Sequence, residues 1–228
     1  MTILYLYAIK EELISWPHTD GIDIIPVCTG MGKVNAGLAA MKAIHDHHPD
    51  LVMNVGTAGG VCTPGKIVVC NKFRDRDLHK VRIPGIPDQI VMPSLAQHLN
   101  FDGITYDDDF QRECDQNGIC NTGDCFVTQL EDVWWHRGVD IEKTDMNLHP
   151  RTWQDAICTA ADMEAFAEAQ ACMMTGVPFL SVKYITDQIG SNSLKVWEGK
   201  LADAREGLTR FMARQDLKNL ILNANKTS

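Results

Sequence analysis

Leu51-Val52-Met53-Asn54-Val55-Gly56-Thr57-Ala58-Gly59-Gly60 is the stretch on which the fold turns. Leu51–Val55 is a short apolar run ending at glycine, which reads as a buried strand. Gly56–Gly60 then reads as a turn at that strand's carboxyl end, either letting a ligand approach the main chain closely or simply reversing the chain. Outward from it the pattern repeats. Thr2–Ala8, Ile24–Cys28 and Lys66–Asn71 are strands, with Pro26 placing the second at an edge or a bulge. Lys33–His48 carries Val34, Leu38, Met41 and Ile44 at three- and four-residue spacing, predicting an amphipathic helix closed by His48-Pro49. A short helix is expected around 93–99, and a strand over Ile119–Thr128 interrupted by Gly123-Asp124. Met163–Thr175 is an Ala-rich helix with a stop at Gly176 and Pro178. Phe179–Thr186 is a strand ending at Asp187, and Trp197–Leu222 a helix with Leu201, Ala204, Leu208, Phe211 and Met212 on one side. Alternating strands and helices predict an α/β layer fold with a parallel or mixed sheet, in one domain spanning 1–228. Ligands of such sheets gather at the carboxyl ends of strands.

The chain has 228 residues, with 21 Lys+Arg against 30 Asp+Glu, a formal charge of −9. That acidic balance argues against nucleic acid or an anionic membrane as partner, since both need a basic field. No apolar run approaches the ~20 residues that span a bilayer. Lys10, Glu11 and Glu12 follow the first nine residues, which does not fit a signal peptide. The eight cysteines include no Cys-x-x-Cys pair, so no zinc site is expected. Several lie in apolar runs, as Cys28 and Cys70 do, and read as small buried hydrophobes in a reducing compartment, the cytoplasm.

Two glycine patterns mislead. Gly30-Met31-Gly32 sits where a dinucleotide fingerprint would, but position 35, where the third glycine belongs, is Asn35, so no NAD cofactor is expected. Gly60 and Gly65-Lys66 match a phosphate loop until residue 67, which is Ile in a strand instead of the Ser or Thr that binds magnesium. His45, His47 and His48 suit the end of a helix better than a metal, and Trp134-Trp135 a core or interface. More telling are three acids. Glu12 follows the first strand, Glu164 opens the Ala-rich helix where the dipole favours a carboxylate, and Asp187 ends a strand. Each has an ordinary reading as a surface or capping residue. Together, around a glycine-rich loop, they point to a site that handles hydroxyls and protons.

Five segments in order now carry a resemblance: Thr29–Ala36, Asn54–Gly60, Gly123–Val127, Asp162–Ala165 and Val182–Asp187. Together they resemble the purine nucleoside phosphorylase/uridine phosphorylase superfamily, and within it the 5′-methylthioadenosine/S-adenosylhomocysteine nucleosidases. The resemblance implies a three-layer α/β/α domain with a central mixed sheet, a homodimer, a purine nucleoside as small-molecule ligand, and no cofactor or metal. It casts Asp187 as the acid that protonates purine N7 and Glu12 as the base that activates water. Glu164 and Met163 become the ribose-binding pair. Phe126 is cast as the stacking partner of the base, Val127 as the main-chain contact to its edge. Thr57, with Ala58 in the same segment, falls near the sugar, and Trp197 near both.

Cleaving an N-glycosidic bond builds positive charge on the sugar and negative charge on the base, which suits this set of acids. Asp187 must hold a proton near neutrality, so its pKa should be raised, while Glu12 must start ionised. Phosphorylases of the superfamily bring arginines to phosphate. Here Ala8-Ile9-Lys10-Glu11-Glu12 occupies the N-terminal loop, and hydrolysis is favoured, with Arg74 and Arg76 keeping phosphorolysis open. A non-catalytic nucleoside-binding protein is a further alternative. Lys183 and Thr186 replace the Arg and Ser typical of the nucleosidase strand, Cys125 replaces Ala, and 74–87 and 131–158 depart from the usual pattern. These changes leave the 5′-substituent open, futalosine-type nucleosides included.

Overall fold

Along β1 (Thr2–Tyr7), Ile3 and Tyr5 face one side of a sheet and Leu4 and Leu6 the other, and all four are buried. Period-two alternation with both faces buried means that the sheet is covered on both sides. The computed structural model describes residues 1–61, 63–81, 85–92, 114–129, 160–190 and 193–214, and among these the layers are clear. Ile3, Tyr5, Leu51, Met53, Leu180 and Val182 pack with Leu208, Phe211 and Met212 of one helix. Leu4, Leu6, Val52 and Phe179 pack with Ala40, Ala43 and Ile44 of a second helix and Ala165, Phe166 and Ala169 of a third.

The strands are β1, β2 (Asp23–Cys28), β3 (Leu51–Gly60), β4 (Ile67–Asp75), β5 (Gln89–Val91), β6 (Cys114–Thr122), β7 (Ala160–Asp162) and β8 (Phe179–Gln188). The helices are α1 (Lys33–His47), α2 (Arg76–Val81), α3 (Ala165–Thr175) and α4 (Ser193–Met212). β1 lies parallel between β2 and β3, so β2 is an edge strand, and Pro26 stands in it as expected. The sheet is mixed: β8 runs parallel to β3 and antiparallel to β4. Because β3 also pairs with β7, β7 with β6 and β6 with β4, these five strands close a ring. The glycine-rich end of β3 lies at that closure.

Several expectations are corrected. Gly56–Gly60 is no turn: β3 continues through it, because neighbours on both edges supply the ladder that glycine's weak strand preference would not. β4 runs on to Asp75 for the same reason. The Val34, Leu38 stripe of α1 does not face the core. Val34 is 71% and Leu38 69% exposed, while Ala36, Ala40, Ala43 and Ile44 are buried. Small residues let α1 approach α3 closely: a methyl added at Gly37 would stand 3.5 Å from Ala167 Cβ. Cys28 is exposed, since an edge strand is only partly covered, whereas Cys70 is buried as expected. α3 ends at Gly176 in the left-handed conformation, as its stop signal implied, and α4 begins four residues earlier than expected, at Ser193. The helix expected at 93–99, the paired tryptophans at 134–135 and the end of the last helix at 215–222 lie outside the described residues.

Gly118 on β6 faces β4 so tightly that an added methyl would stand 2.3 Å from Val68 Cγ1 and 3.0 Å from the Val69 carbonyl oxygen. Gly118→Ala is predicted to cost about 1–3 kcal/mol. The measurement is urea unfolding, where the midpoint should fall with m unchanged.

Candidate active site

Glu12 is the first side chain that the fold turns inward. A 3-10 turn over Lys10–Glu12 follows β1. Buried Tyr5 pins it by donating from its hydroxyl to the Glu12 carbonyl (2.7 Å) and accepting from Ile14 N–H (3.0 Å). The Glu12 carboxylate then accepts from Ala8 N–H (3.1 Å), Thr57 N–H (2.7 Å) and the Thr57 hydroxyl (2.6 Å). Trp197 Nε1–H donates to Thr57 Oγ1 at 2.9 Å, so that hydroxyl's own proton points to Glu12. Gly56 makes room: a methyl there would stand 3.0 Å from Glu12 Oε1.

Asp187 reaches the same place through a bulge. Ala58 pairs with Ile185 but Gly59 pairs with Asp187, so Thr186 is an extra residue on β8. Its hydroxyl lies 2.8 Å from Asp187 Oδ1 and 3.2 Å from the Ala58 carbonyl oxygen. Asp187 Oδ2 is buried with no hydrogen-bond partner among the described residues, 3.2 Å from where a Gly59 methyl would sit. The glycines of β3 thus accommodate the protein's own carboxylates.

Glu164 stands at the N-cap of α3, and its carboxylate accepts from Gly32 N–H (3.0 Å) and Met163 N–H (3.2 Å). Phe126 meets Trp197 edge to face with ring centroids 6.0 Å apart. A cavity of about 560 Å³, open to solvent, is lined by Glu12, Thr57, Ala58, Phe126, Val127, Met163, Glu164, Asp187 and Trp197. The nine residues that the resemblance assigned to the nucleosidase site therefore face one hollow. Ala8, Ile9, Met31, Gly59, Cys125, Ala161 and Asp162 complete the lining.

A family model, the Phosphorylase superfamily, matches residues 16–219. The chain belongs to the phosphorylase superfamily. A 5′-methylthioadenosine/S-adenosylhomocysteine nucleosidase of Bacillus pumilus is 28% identical over 200 residues, covering 82% of this chain and 79% of that protein. The crystal structure of such a nucleosidase from Colwellia psychrerythraea in complex with adenine is 26% identical, covers 93% of this chain and 94% of its own, and superposes with a TM-score of 0.66. The S. pneumoniae nucleosidase with the transition-state inhibitor MT-ImmA shares the fold at 17% identity, with a TM-score of 0.67 over 93% of this chain and 98% of that one.

This superfamily site is held by a buried ion pair that sequence reading missed. Lys183 Nζ lies 2.7 Å from Asp162 Oδ2, with both side chains almost fully enclosed. Asp162 also accepts from the Thr122 hydroxyl (2.6 Å) and Ala165 N–H (2.9 Å), which fixes the start of α3 and with it Glu164. Burial pushes the Asp162 carboxyl up, but the Lys183 charge and these hydrogen bonds outweigh it, and its pKa stays below the ordinary value. For Lys183, burial opposes the charge, yet Asp162 and the other acids keep the ammonium protonated, its pKa raised. A lone lysine in the apolar run Phe179–Ile185 was the available signal.

Glu164 behaves otherwise. Burial and then the Asp162 charge push its pKa up to about 7, against Lys183 and Gly32 N–H, so the dipole argument from sequence is overridden. Burial raises the Asp187 pKa as well, against the hydroxyls of Thr186 and Ser193, in the direction expected for a proton donor. Arg74 and Arg76 do not line the cavity. Arg74 is buried with Nε on Gln89 Oε1, and Arg76 binds backbone carbonyls.

A carboxyl whose folded pKa lies above its ordinary value of 4.5 favours the folded state at low pH, and this contribution is lost as pH rises through about 7. Glu164→Gln is therefore predicted to raise the melting temperature by a few degrees at pH 8, a gain that vanishes towards pH 5. Calorimetric scans of both proteins across that range check it.

Proposed function

We propose that this chain, as one nucleoside phosphorylase-like domain over 1–228, is a purine nucleosidase. It hydrolyses the N-glycosidic bond of a 5′-modified adenosine such as 5′-methylthioadenosine or S-adenosylhomocysteine. One observation carries the choice of water over phosphate. Among the described residues no Lys or Arg lines the cavity to neutralise a phosphate dianion, while the Glu12 carboxylate stands there to favour a cationic sugar.

The geometry supports the following mechanism. Phe126 and Trp197 hold the base, with the Val127 main chain at its edge, and Glu164 accepts from the ribose hydroxyls beside Met163. Asp187, whose pKa burial raises, gives a proton to N7 from the unpartnered Oδ2 side, and the C1′–N9 electron pair leaves with the base. When Asp187 bears the proton on Oδ1 instead, Thr186 can accept it while donating to the Ala58 carbonyl, so both arrangements are hydrogen-bonded. Glu12, held by three donors, takes a proton from water as its oxygen bonds to C1′. Thr57 and Ala58 form the wall beneath the sugar. Free base and a ribose derivative result, and solvent returns the proton from Glu12 to Asp187.

Two finer readings accompany this one. Val34, Leu38 and Met174 border an open groove between α1 and α3, which suits cover by a second copy in a homodimer. Among the described residues the cysteines at 28, 70, 120, 125 and 172 are free thiols, which suits the cytoplasm. No described helix is long and apolar enough to cross a membrane.

Asp187→Asn is predicted to lower kcat by about 10²–10⁴-fold while a non-hydrolysable nucleoside analogue still binds. Release of base from purine nucleosides with varied 5′ groups, alongside calorimetric binding, measures both. Retained turnover would remove Asp187 from the proposed role, and a wild-type chain that binds but turns over none of the panel would leave a nucleoside-binding protein.

A further inference from the structure

Arg76, at the start of α2, is 3% exposed, yet its hydrogen bonds go to neutral oxygens. Nη1 donates to the Asn121 carbonyl (3.1 Å) and Asn121 Oδ1 (3.3 Å), and Nη2 to the Cys125 carbonyl (2.6 Å). Between those anchors the chain leaves β6 and, past Gly123, bends at Asp124 and Cys125. The guanidinium lies flat against Gly123: an added methyl would stand 2.7 Å from Nη2 and 2.8 Å from Cζ. Enclosing a charge is costly, and here it is answered by carbonyl dipoles rather than a carboxylate in contact. Two positions are thereby committed to one purpose, an arginine and the glycine it needs.

What the strap holds is the segment that enters the cavity next. Cys125, Phe126 and Val127 line the hollow directly after the anchored turn. The other side of the turn is tied as well. Lys33 N–H donates to Asp124 Oδ1 (2.8 Å), Asp124 N–H donates to Asp77 Oδ2 (3.2 Å), and Lys33 Nζ bridges Asp77 (2.6 Å) and Asp75 (3.0 Å). Arg76 is the only one of these ties that reaches the Cys125 carbonyl, one peptide from Phe126. Glu12 is anchored elsewhere, by Tyr5 and Thr57, whereas Glu164, held by Gly32 N–H and the Lys183–Asp162 pair, meets the same turn where the Thr122 hydroxyl and Gly123 N–H donate to Asp162.

The geometry points to Arg76 as the positioning residue of the base-binding segment: it fixes Phe126 and Val127 at the level of the nucleobase and so sets base affinity, leaving the chemical step to the acids. This rests on the reading that Phe126 and Val127 meet the base. Arg76→Met should weaken binding of free adenine and raise KM about ten-fold or more, the range for hydrogen bonds from a charged donor, with kcat within about three-fold and its pH profile unmoved. Arg76→Lys, which can restore one of the carbonyl contacts, should recover part of the loss. Gly123→Ala, which displaces the guanidinium without removing its charge, should reproduce it, and these two variants decide the matter if Arg76→Met does not fold. Adenine affinity within two-fold of wild type in the folded variants, or a loss confined to kcat, would overturn the assignment. Phe126→Ala separates the two levels: if it weakens adenine binding while the Arg76 and Gly123 variants do not, the strap fails and the base site stands, and if it too leaves adenine binding intact, the base site itself is misplaced and the strap falls with it.

Discussion

Four carboxylates share one hollow with a buried lysine beneath them, and they cannot all carry charge in the same way. Lys183 decides the state of one of them. It lies against Asp162, which stays ionised, and leaves Glu164 and Asp187 in surroundings that raise their pKa values. Glu168, one turn into α3, is enclosed with neither oxygen hydrogen-bonded among the described residues, and burial pushes its carboxyl well above the ordinary range. Carboxyls of nearly equal intrinsic acidity therefore part ways: Asp162 is held low by the Lys183 charge, while burial raises Glu164, Glu168 and Asp187.

The backbone makes this division possible. Glycines at 56 and 59 leave space beside β3 for Glu12 and Asp187, and the extra residue at Thr186 brings Asp187 opposite Gly59. Closing the ring through β7 brings Asp162 and Glu164 to the same end of the sheet. Each device gives up ordinary strand stability, through missing side chains or a broken register, at the place where the chemistry is proposed to occur.

Much of this was legible in the sequence because strand and helix periods differ. Thr2–Tyr7 and Phe179–Gln188 are apolar runs too short for helices, and Gly176 stops α3 where it should. The three acids were legible because each follows or ends an element. What was not legible depended on partners distant in sequence. Glycine disfavours strands, so Gly56–Gly60 looked like a turn until two neighbouring strands completed its ladder. Alanine counts little in an apolar stripe, so the buried face of α1 was assigned in part to Val34 and Leu38, which are exposed. Lys183 and Asp162 are 21 positions apart, and Arg76 and Cys125 are 49 apart. No local pattern joins such pairs.

In the proposed reaction water, admitted by an acid-lined cavity, takes the place of the base on the sugar. Hydrolysis of 5′-methylthioadenosine in ¹⁸O-enriched water with phosphate in excess, followed by mass spectrometry of the sugar, tests it most directly. The expected product is a free ribose derivative with one heavy oxygen at C1. A sugar 1-phosphate whose bridging oxygen comes from phosphate would contradict it.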